Sequence, residues 1–329
     1  MALSARRKAW CNTMRKRKLF SNPVTVVLFA MIVSVLWGTL FPAIKIGYRV
    51  FGIDSTQVAS ILLFAGLRFL ISGILLVGAD GVKKHSLDLP GRSCLGSILV
   101  VSMLTVVIHY ALTYTGLALA ESSKSAVLKQ LGFLVVPGVA FLFRKEDKCS
   151  VRKVVAALLG FLSVIAVSFD GFTFVFGLGE ILVILASFSS MFGQLISKNV
   201  YDKYEPTYIV AWSQLVGGVI LVAAGLLLGG SISRVSWESV AVLGYMCFAS
   251  ITANVLWNTL IKYNDMSRLA VLKAMDPLFA AVFSAALLGE NILKPTYLLS
   301  VVLLITAITV SGHKPKPHKV SANAESYHI

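Results

Sequence analysis

Charged side chains are scarce in this chain of 329 residues. Asp, Glu, Lys and Arg together make up 14% of it, whereas soluble domains carry about 25%. Apolar residues make up 57%, and the mean hydropathy is +0.82. Polar stretches long enough to build a soluble domain are also missing between the apolar runs. The composition therefore excludes a soluble protein and indicates an integral membrane protein with no catalytic domain outside the bilayer.

Residues that would carry chemistry are missing as well. Of the five histidines only His109 lies within an apolar run, and no run holds two nearby acids, a glycine-rich phosphate loop or a Ser-His-Asp set. The cysteines show no metal-ligand spacing; they are Cys11, Cys94, Cys149 and Cys247. We therefore expect no metal, no cofactor and no enzyme activity. An intramembrane enzyme or a channel stays open as an alternative of another class.

Apolar runs long enough to cross a bilayer occur ten times. A spanning helix needs about 20 apolar residues, whereas a strand of a membrane barrel needs about ten residues of alternating polarity. These runs are too long and too uniformly apolar for strands, so the sequence predicts an all-α protein with ten transmembrane helices. The runs cover residues 24–48, 56–79, 93–116, 122–143, 151–169, 177–198, 206–229, 237–261, 267–288 and 294–312.

Acidic residues are half as frequent as basic ones, and the formal net charge is +15. In a soluble protein this charge would suggest nucleic acid, but in a membrane protein Lys and Arg mark cytoplasmic segments. With the N-terminus inside, 22 basic residues fall on cytoplasmic segments, four fall outside and four lie within spans. We therefore expect no nucleic-acid partner, and cytoplasmic tails at residues 1–22 and 313–329.

The second half of the sequence repeats the first. AVLK occurs at residues 126–129 and again at 270–273, and the same offset aligns Glu146 with Glu290. Each half holds five predicted helices, and because five is odd the second copy would enter the membrane upside down. Inverted repeats place a substrate site near the midplane, where the halves meet. The predicted repeats are residues 23–170 and 171–312.

Five stretches carry a resemblance to a known family. They are LWGTLFPAIK (36–45), LRFLISGILL (67–76), YTGLALAESSKSAVLKQLGFLVVPGVAFLFRKED (114–147), LLGFLSVIAV (158–167) and LWNTLIKYNDMSRLAVLKAMDPLFAAVFSAALLGE (256–290). In order and spacing they resemble the EamA-like members of the drug/metabolite transporter superfamily. The resemblance implies secondary transport of small metabolites through a cavity lined by the first, third, fourth, sixth, eighth and ninth helices. Related sugar-phosphate and nucleotide-sugar carriers take anionic substrates, and lysines of the fourth and ninth helices matter there.

Ionisable side chains inside spans are the strongest functional signal. Each costs at least about 2.5–3.5 kcal/mol at the centre of a span. Lys129 and Lys273 lie about two turns into their spans from opposite faces, so both are predicted to face the cavity and attract an anionic substrate. Snorkelling to the headgroups is the alternative for Lys129. Asp276, three residues after Lys273, either forms an ion pair with it or exchanges a proton.

Uncharged polar and aromatic residues complete the predicted cavity. They are Tyr114, Gln130, Gln194, Asn258 and Trp37. The alternative for them is hydrogen bonding or packing between helices.

Arg68 lies in the middle of the second span and is predicted to be structural, bonded to backbone carbonyls or to an acid such as Glu180. Proline removes a backbone donor from a helix and loosens it. This makes Pro42, Pro137 and Pro277 hinge candidates.

The sequence therefore favours a multi-pass transporter of the plasma membrane that works by alternating access. The leading interpretation is export of amino acids or related small metabolites, and the second is exchange of anionic phosphorylated metabolites. The expected partners are the small-molecule substrate, the lipid bilayer and a coupled proton or counter-substrate. The protein is expected to be a monomer or a homodimer.

The charge distribution predicts the orientation of the chain. In intact cells, an impermeant thiol reagent should label a cysteine introduced by Ile292→Cys, because the ninth and tenth spans are joined outside. The same reagent should not label Cys11, which serves as the internal control. The opposite labelling pattern would overturn the predicted topology.

Overall fold

A computed structural model describes the chain outside a few gaps. The described residues are 14, 17–84, 88–132, 151–170, 173–174, 176–264, 269, 272–273 and 275–312. The helices are α1 (Pro23–Phe51), α2 (Val58–Lys84), α3 (Arg92–Leu119), α4 (Ser122–Leu128), α5 (Val151–Ser168), α6 (Leu178–Tyr201), α7 (Pro206–Leu227), α8 (Trp237–Tyr263), α9 (Met275–Leu288) and α10 (Pro295–Gly312). Strands β1 (Phe169–Asp170) and β2 (Thr173–Phe174) form a short antiparallel pair between α5 and α6.

Six of these helices are long and apolar enough to cross a membrane: α1, α2, α3, α6, α7 and α8. Helices α9 and α10 and the apolar part of α5 are shorter, and α4 is described over seven residues. The structure therefore confirms a multi-pass helical membrane protein and six of the ten expected spans. Pro137, one of the predicted hinges, lies outside the described residues.

Local sequence signals account for the start of α1. The Asn22 side chain accepts hydrogen bonds from the N–H groups of Val24 and Thr25, at 3.0 and 3.4 Å, and Pro23 occupies the first helical position, where no donor is needed. Helix α3 contains a π-helical turn at Met103–Val107. Such turns widen a helix by one residue and are frequent at functional sites.

Helix α2 packs most extensively on α7. Glycine makes this approach possible, because a Cβ on Gly218 would lie 2.2 Å from the Leu70 nitrogen. Small residues at helix interfaces let backbones meet closely in membranes, where burial alone does not drive helices together. Helix α1 packs on α8 and α9, α3 packs on α6, and α5 packs on α10.

Arg68 is completely buried at the junction of α2, α3 and α8. Its Nε donates to the Ser250 hydroxyl at 2.5 Å and its Nη1 donates to the Tyr114 hydroxyl at 2.7 Å. The guanidinium also lies 4.9 Å from the Phe69 ring centroid and 5.5 Å from that of Tyr110. Aromatic faces attract cations, more strongly where water is excluded.

The prediction that Arg68 bonds to backbone carbonyls or to an acid such as Glu180 was wrong. Glu180 pairs instead with Lys124, at 2.9 Å between Oε1 and Nζ. Both side chains lie at the ends of their helices, far from the middle of α2. Arg68 therefore holds its place through hydroxyl groups and rings, and no carboxylate pairs with it in the part of the chain that the structure describes.

Replacing Arg68 should destabilise the fold. Arg68→Ala leaves a cavity and deprives the Tyr114 hydroxyl of its donor, which together should cost on the order of 3 kcal/mol. We expect a lower melting temperature in detergent and little folded protein recovered from membranes. Arg49→Ala, at an exposed position near the end of α1, is the control and should melt like the parent. A well-folded but inactive Arg68→Ala protein would instead assign Arg68 to the substrate path.

Candidate functional site

A cavity lies between the helices and has an empty volume, including space open to solvent, of about 900 Å³. Helices α1, α3, α6, α8 and α9 and the turn after α4 contribute to its wall, as the family resemblance implies. Helix α7 contributes too, through Val210, Ser213 and Gln214. The cavity extends to Tyr201 and Val210, which flank the connection 202–205 on the predicted cytoplasmic side.

Seven of the eight predicted cavity residues line this one space. They are Trp37, Lys129, Gln130, Gln194, Asn258, Lys273 and Asp276. Tyr114 is the exception, and its prediction as a cavity residue was wrong. It is fully buried behind the wall, where its hydroxyl accepts from Arg68 and its carbonyl accepts from Tyr48.

Lys129 lies in the turn that follows α4 and points its ammonium group at aromatic rings. Its Nζ is 5.3 Å from the centroid of Phe41 and 5.5 Å from that of Tyr110. Among the described residues no carboxylate pairs with it. Ring faces offset part of the cost of holding a cation away from water, but they leave its hydrogen-bond donors available to a ligand. This position inside the cavity differs from that of a lysine that snorkels to the headgroups.

Lys273 has a different environment. Its Nζ donates to Asp276 Oδ2 at 2.5 Å and lies 3.3 Å from the centroid of the Trp37 ring. Trp257 packs edge-on against Trp37, with 5.5 Å between centroids. The ion pair forms within one helical turn, because residues three apart share a face. Asp276 is 4% exposed, and within the described chain its Oδ1 has no hydrogen-bond partner, so half of the carboxylate is available to a ligand or a proton.

Hydrogen bonds fix another part of the wall. Trp257 donates from Nε1 to Gln194 Oε1 at 2.9 Å, and Gln194 donates to the Ser190 hydroxyl at 3.0 Å. Tyr201 donates to Asn258 Oδ1 at 2.7 Å. The alternative suggested by the sequence, hydrogen bonding between helices, is therefore present for Gln194 and Asn258. Both also face the cavity, so a ligand would meet side chains of fixed orientation.

Sequence reasoning missed several cavity residues. Phe41 and Tyr110 line the cavity, but in an apolar span nothing in the sequence separates an inward aromatic ring from a packed one. Gln214 also lines the cavity, and its type alone fits hydrogen bonding between helices equally well. His109 lines the cavity and its Nδ1 lies 2.8 Å from the Ala186 carbonyl. That nitrogen therefore carries the proton, and the bond fits a satisfied structural histidine.

The predicted hinges are only partly described. Pro42 lies inside α1, next to the cavity residue Phe41. Pro277 lies in the first turn of α9, directly after Asp276, and its carbonyl accepts from the Tyr297 hydroxyl at 3.4 Å. Pro42 cannot donate a helical hydrogen bond, so it interrupts the hydrogen bonding of α1 beside the cavity. Pro277 occupies the first turn of α9, where no intrahelical donor is needed.

A polar cap closes the other end of the bundle. Glu290 accepts hydrogen bonds from the N–H groups of Ser122 and Ser123, at 2.9 and 3.0 Å, and from the Ser123 hydroxyl at 2.7 Å. Lys45 of α1 lies 3.7 Å from the same carboxylate. Gly289 has φ +69 and ends α9, a conformation that suits glycine and turns the chain toward α4. The cap therefore joins α1, α4 and the end of α9.

The environment of Glu290 favours its charged form. Burial raises the pKa of this carboxyl, but the hydrogen bonds from Ser123 and Ser122 and the charge of Lys45 lower it further, so that its pKa lies below the ordinary value. A carboxylate at a helix N-terminus also gains from the helix dipole. Protonation of Glu290 would remove charge from four interactions at once, three hydrogen bonds and one ion pair.

Comparison with known proteins identifies the family. The sequence profile of the EamA-like transporter family matches residues 24–169 and again residues 177–312. An uncharacterized transporter YvbV of Bacillus subtilis (strain 168) is 25% identical over 302 residues, covering 91% of this chain and 94% of that protein. A probable amino-acid metabolite efflux pump of Escherichia coli (strain K12) is 27% identical over 296 residues, covering 86% and 93%.

Two further relatives extend the comparison. An S-adenosylmethionine/S-adenosylhomocysteine transporter of Chlamydia muridarum (strain MoPn / Nigg) is 24% identical over 319 residues and covers 92% of this chain and 95% of its own. A crystal structure of another protein shares the fold, with a TM-score of 0.64 at 17% identity over 88% of this chain and 96% of the other. The multi-pass helical fold and the two profile matches together show that this chain belongs to the EamA-like transporter family.

Proposed function

We propose that this protein is a secondary transporter that exports amino acids or related small metabolites across the plasma membrane by alternating access. The observation that carries the proposal is Lys129, a cation inside the cavity with no carboxylate partner in the described part of the chain. A substrate with an acidic group would supply that partner. The printed name of the Escherichia coli relative, an amino-acid metabolite efflux pump, supports the substrate class and the direction.

The proposed architecture is a pair of inverted five-helix repeats. The family profile matches two consecutive segments of similar length. Helix packing supports this relation, because the same contacts recur when each helix is exchanged for its counterpart in the other half. The contact of α1 with α8 corresponds to that of α6 with α3, and the contacts of α2 with α7 and of α5 with α10 correspond to themselves. Inverted repeats allow two halves to rock around a fixed midplane site.

The second candidate is an exchanger of phosphorylated or otherwise anionic metabolites. Lys129 and Lys273 lie in the same cavity, and a phosphate carries enough charge to interact with both. Asp276 weighs against this candidate, because its carboxylate already pairs with Lys273 at 2.5 Å. A substrate with a single acidic group therefore matches the available charge better.

Asp276 is also our candidate for proton coupling. One of its oxygens is bonded to Lys273, and the other has no partner among the described residues. A proton on this carboxyl would release Lys273 toward the substrate, and loss of the proton would restore the ion pair. Coupling of this kind links substrate movement to a pH gradient without any further group.

Removing either lysine charge should weaken the binding of acidic substrates, and the effect should be larger for Lys129 than for Lys273. Lys129→Gln should lower the apparent affinity about tenfold, since a unit-charge contact retains about 1–2 kcal/mol after desolvation. Lys273→Gln should have a smaller effect, because Asp276 already neutralises that charge. The measurement is counterflow in liposomes with amino acids and sugar phosphates, with folding checked by thermal melting.

Lys262→Gln provides the matched control, since it removes a lysine charge from an exposed ion pair outside the cavity. Asp276→Asn in the same liposomes should abolish the response to a pH gradient if the carboxyl carries the proton. Unchanged transport by the Lys129→Gln, Lys273→Gln double variant would contradict a substrate role for both lysines.

The polar cap suggests which side is closed. We propose that the described conformation faces the cytoplasm, because the cavity extends toward Tyr201 and Val210 while Glu290 joins α1, α4 and the end of α9 at the opposite end. Opening to the outside would then require breaking this cap. Ser122 and Ser123 are buried, so opening would also expose their N–H groups.

Neutralising Glu290 should favour the outward-open state. Hydrogen bonds to a charged group contribute about 1.5–3 kcal/mol, so Glu290→Gln should make the cavity about tenfold more accessible from outside. Accessibility is measured as the rate at which an impermeant reagent labels Ser190→Cys, a cavity position, in a chain without its native cysteines. Glu121→Gln removes the neighbouring exposed acid and should leave the rate unchanged. An equal rate in both variants would overturn the role of Glu290 as a cap.

The same experiment has a pH dependence. Because the pKa of Glu290 is lowered in the closed state, the stabilisation is present above the ordinary carboxyl value of about 4.3 and is lost as the pH falls through the lowered pKa. The ionisation of the labelled thiol also changes with pH, so the rate of the parent is divided by that of Glu290→Gln at the same pH. This ratio should stay constant from about pH 8 down to pH 5 and rise toward one only under stronger acid.

A further inference from the structure

Gln214 places an amide without hydrogen-bond partners in the cavity wall. It lies on α7 and is 3% exposed, and within the described chain neither its Oε1 nor its Nε2 has a partner. Both atoms therefore sit where water is scarce and lipid offers no hydrogen bonds. Native proteins rarely leave both atoms of a buried amide unpaired, and each such group calls for an explanation.

The position of Gln214 follows from the face that α7 turns to the cavity. Val210, Ser213 and Gln214 line the space, and they share a face because residues three and four apart are neighbours on a helix. Gly217, one turn further along, packs against Val106 of the π-helical turn in α3. The Ser213 hydroxyl also lacks a partner among the described residues, while its carbonyl accepts from Ser102 at 3.0 Å. The backbone here is fixed, and the side chains are available.

An amide with both polar atoms unpaired is suited to bind one particular kind of group. It presents a donor beside an acceptor in one plane, so it forms two parallel bonds with a planar group that offers an acceptor beside a donor, as glutamine does with adenine. A second carboxylate would satisfy only Nε2 and would oppose Oε1. Gln214 therefore favours a neutral planar group and disfavours an additional acidic one.

We propose that Gln214 and Ser213 form a second subsite, which binds a neutral planar group with adjacent donor and acceptor atoms on a substrate whose acidic group lies at Lys129. The inference rests on the proposed transport function. A carboxamide and the edge of a purine ring both carry such a group. The shared hydrogen-bonding chemistry defines the subsite, and the experiment separates the two sources.

Two matched pairs of probes test the subsite in the full-length protein. The first pair is L-glutamine and L-glutamate, which differ only in the terminal group. The second is adenosine monophosphate and ribose 5-phosphate, which differ by the purine. Binding is measured as protection against thermal unfolding and as counterflow in liposomes. The parent should prefer the first member of at least one pair about tenfold, and the pair that shows the preference identifies the source.

The preference should depend on Gln214. Gln214→Leu should reduce the ratio within the preferred pair to about one, while the folded protein melts at the same temperature or higher, because an unpaired buried amide is gone. Gln214→Met, which keeps the length of the side chain, replaces it if the leucine variant does not fold. Ser284→Ala is the control, since it removes a buried hydroxyl outside the cavity that has no partner in the described chain, and it should keep the ratio of the parent.

The outcomes separate this inference from the transport proposal. No preference within either pair, or a preference that survives Gln214→Leu and Gln214→Met, would overturn the subsite and assign the amide to bound water. Lys129→Gln should weaken both members of a pair equally. If it weakens neither while Gln214→Leu abolishes the preference, the role of Lys129 fails and the subsite stands.

Discussion

The requirement that polar groups find partners inside hydrocarbon governs this structure, and Arg68 meets it at Nε and Nη1, while its Nη2 has no hydrogen-bond partner within the described residues. A guanidinium at the centre of a span is among the most costly side chains to bury. Here it bonds to the hydroxyls of Ser250 and Tyr114 and lies against aromatic rings. These contacts tie α2 to α3 and α8. The guanidinium also lies near the ring of Tyr110, and the ammonium group of Lys129 lies near the same ring. The structural cation and the cavity cation are therefore linked through one ring.

The same requirement divides the polar side chains of the cavity into those that are bonded to each other and those that have no partner. Gln194 accepts a hydrogen bond from Trp257, and Asn258 accepts one from Tyr201, so these side chains have a fixed orientation and form a rigid frame. Gln214 and the second oxygen of Asp276 have no partner within the described structure, and they bear the cost of desolvation until something binds. Preorganised groups that lack partners are where binding free energy comes from, because no existing bond must be broken first.

Sequence alone predicted the class, six of the ten expected spans are present as long apolar helices among the described residues, and seven of the eight predicted cavity residues line one space. Long apolar runs and the positions of basic residues are strong signals, since a charge in hydrocarbon needs a reason. For this reason the amino-acid sequence was sufficient to assign Lys129, Lys273 and Asp276 to the cavity. It was not sufficient for Gln214, because an uncharged amide in a span costs less and fits simple helix packing equally well.

The sequence also failed to predict which side chains pair between helices. Nothing in the sequence assigns Glu180 to Lys124, or Glu290 to the start of α4. Helix faces are also hard to read in membranes, since lipid and protein interior are both apolar and the pattern that separates inside from outside is weak. Tyr114 was misplaced for this reason: it shares a helix with cavity residues but faces the buried arginine.

The π-helical turn at Met103–Val107 determines how the length of α3 can change without disturbing the wall of the cavity. Such a turn amounts to one residue inserted into an α-helix, and one residue corresponds to about 100° of rotation. Ser102 on one side of it is bonded to α7, and His109 on the other is bonded to α6. Because the turn absorbs the additional residue, the faces on either side of it keep nearly the register of an uninterrupted helix. Deleting a single codon here would therefore restore α-helical hydrogen bonding with little rotation of one half of α3 relative to the other. A deletion elsewhere in α3 would rotate the following face by about 100°, so the π-helical turn is where a change of chain length disturbs the wall least.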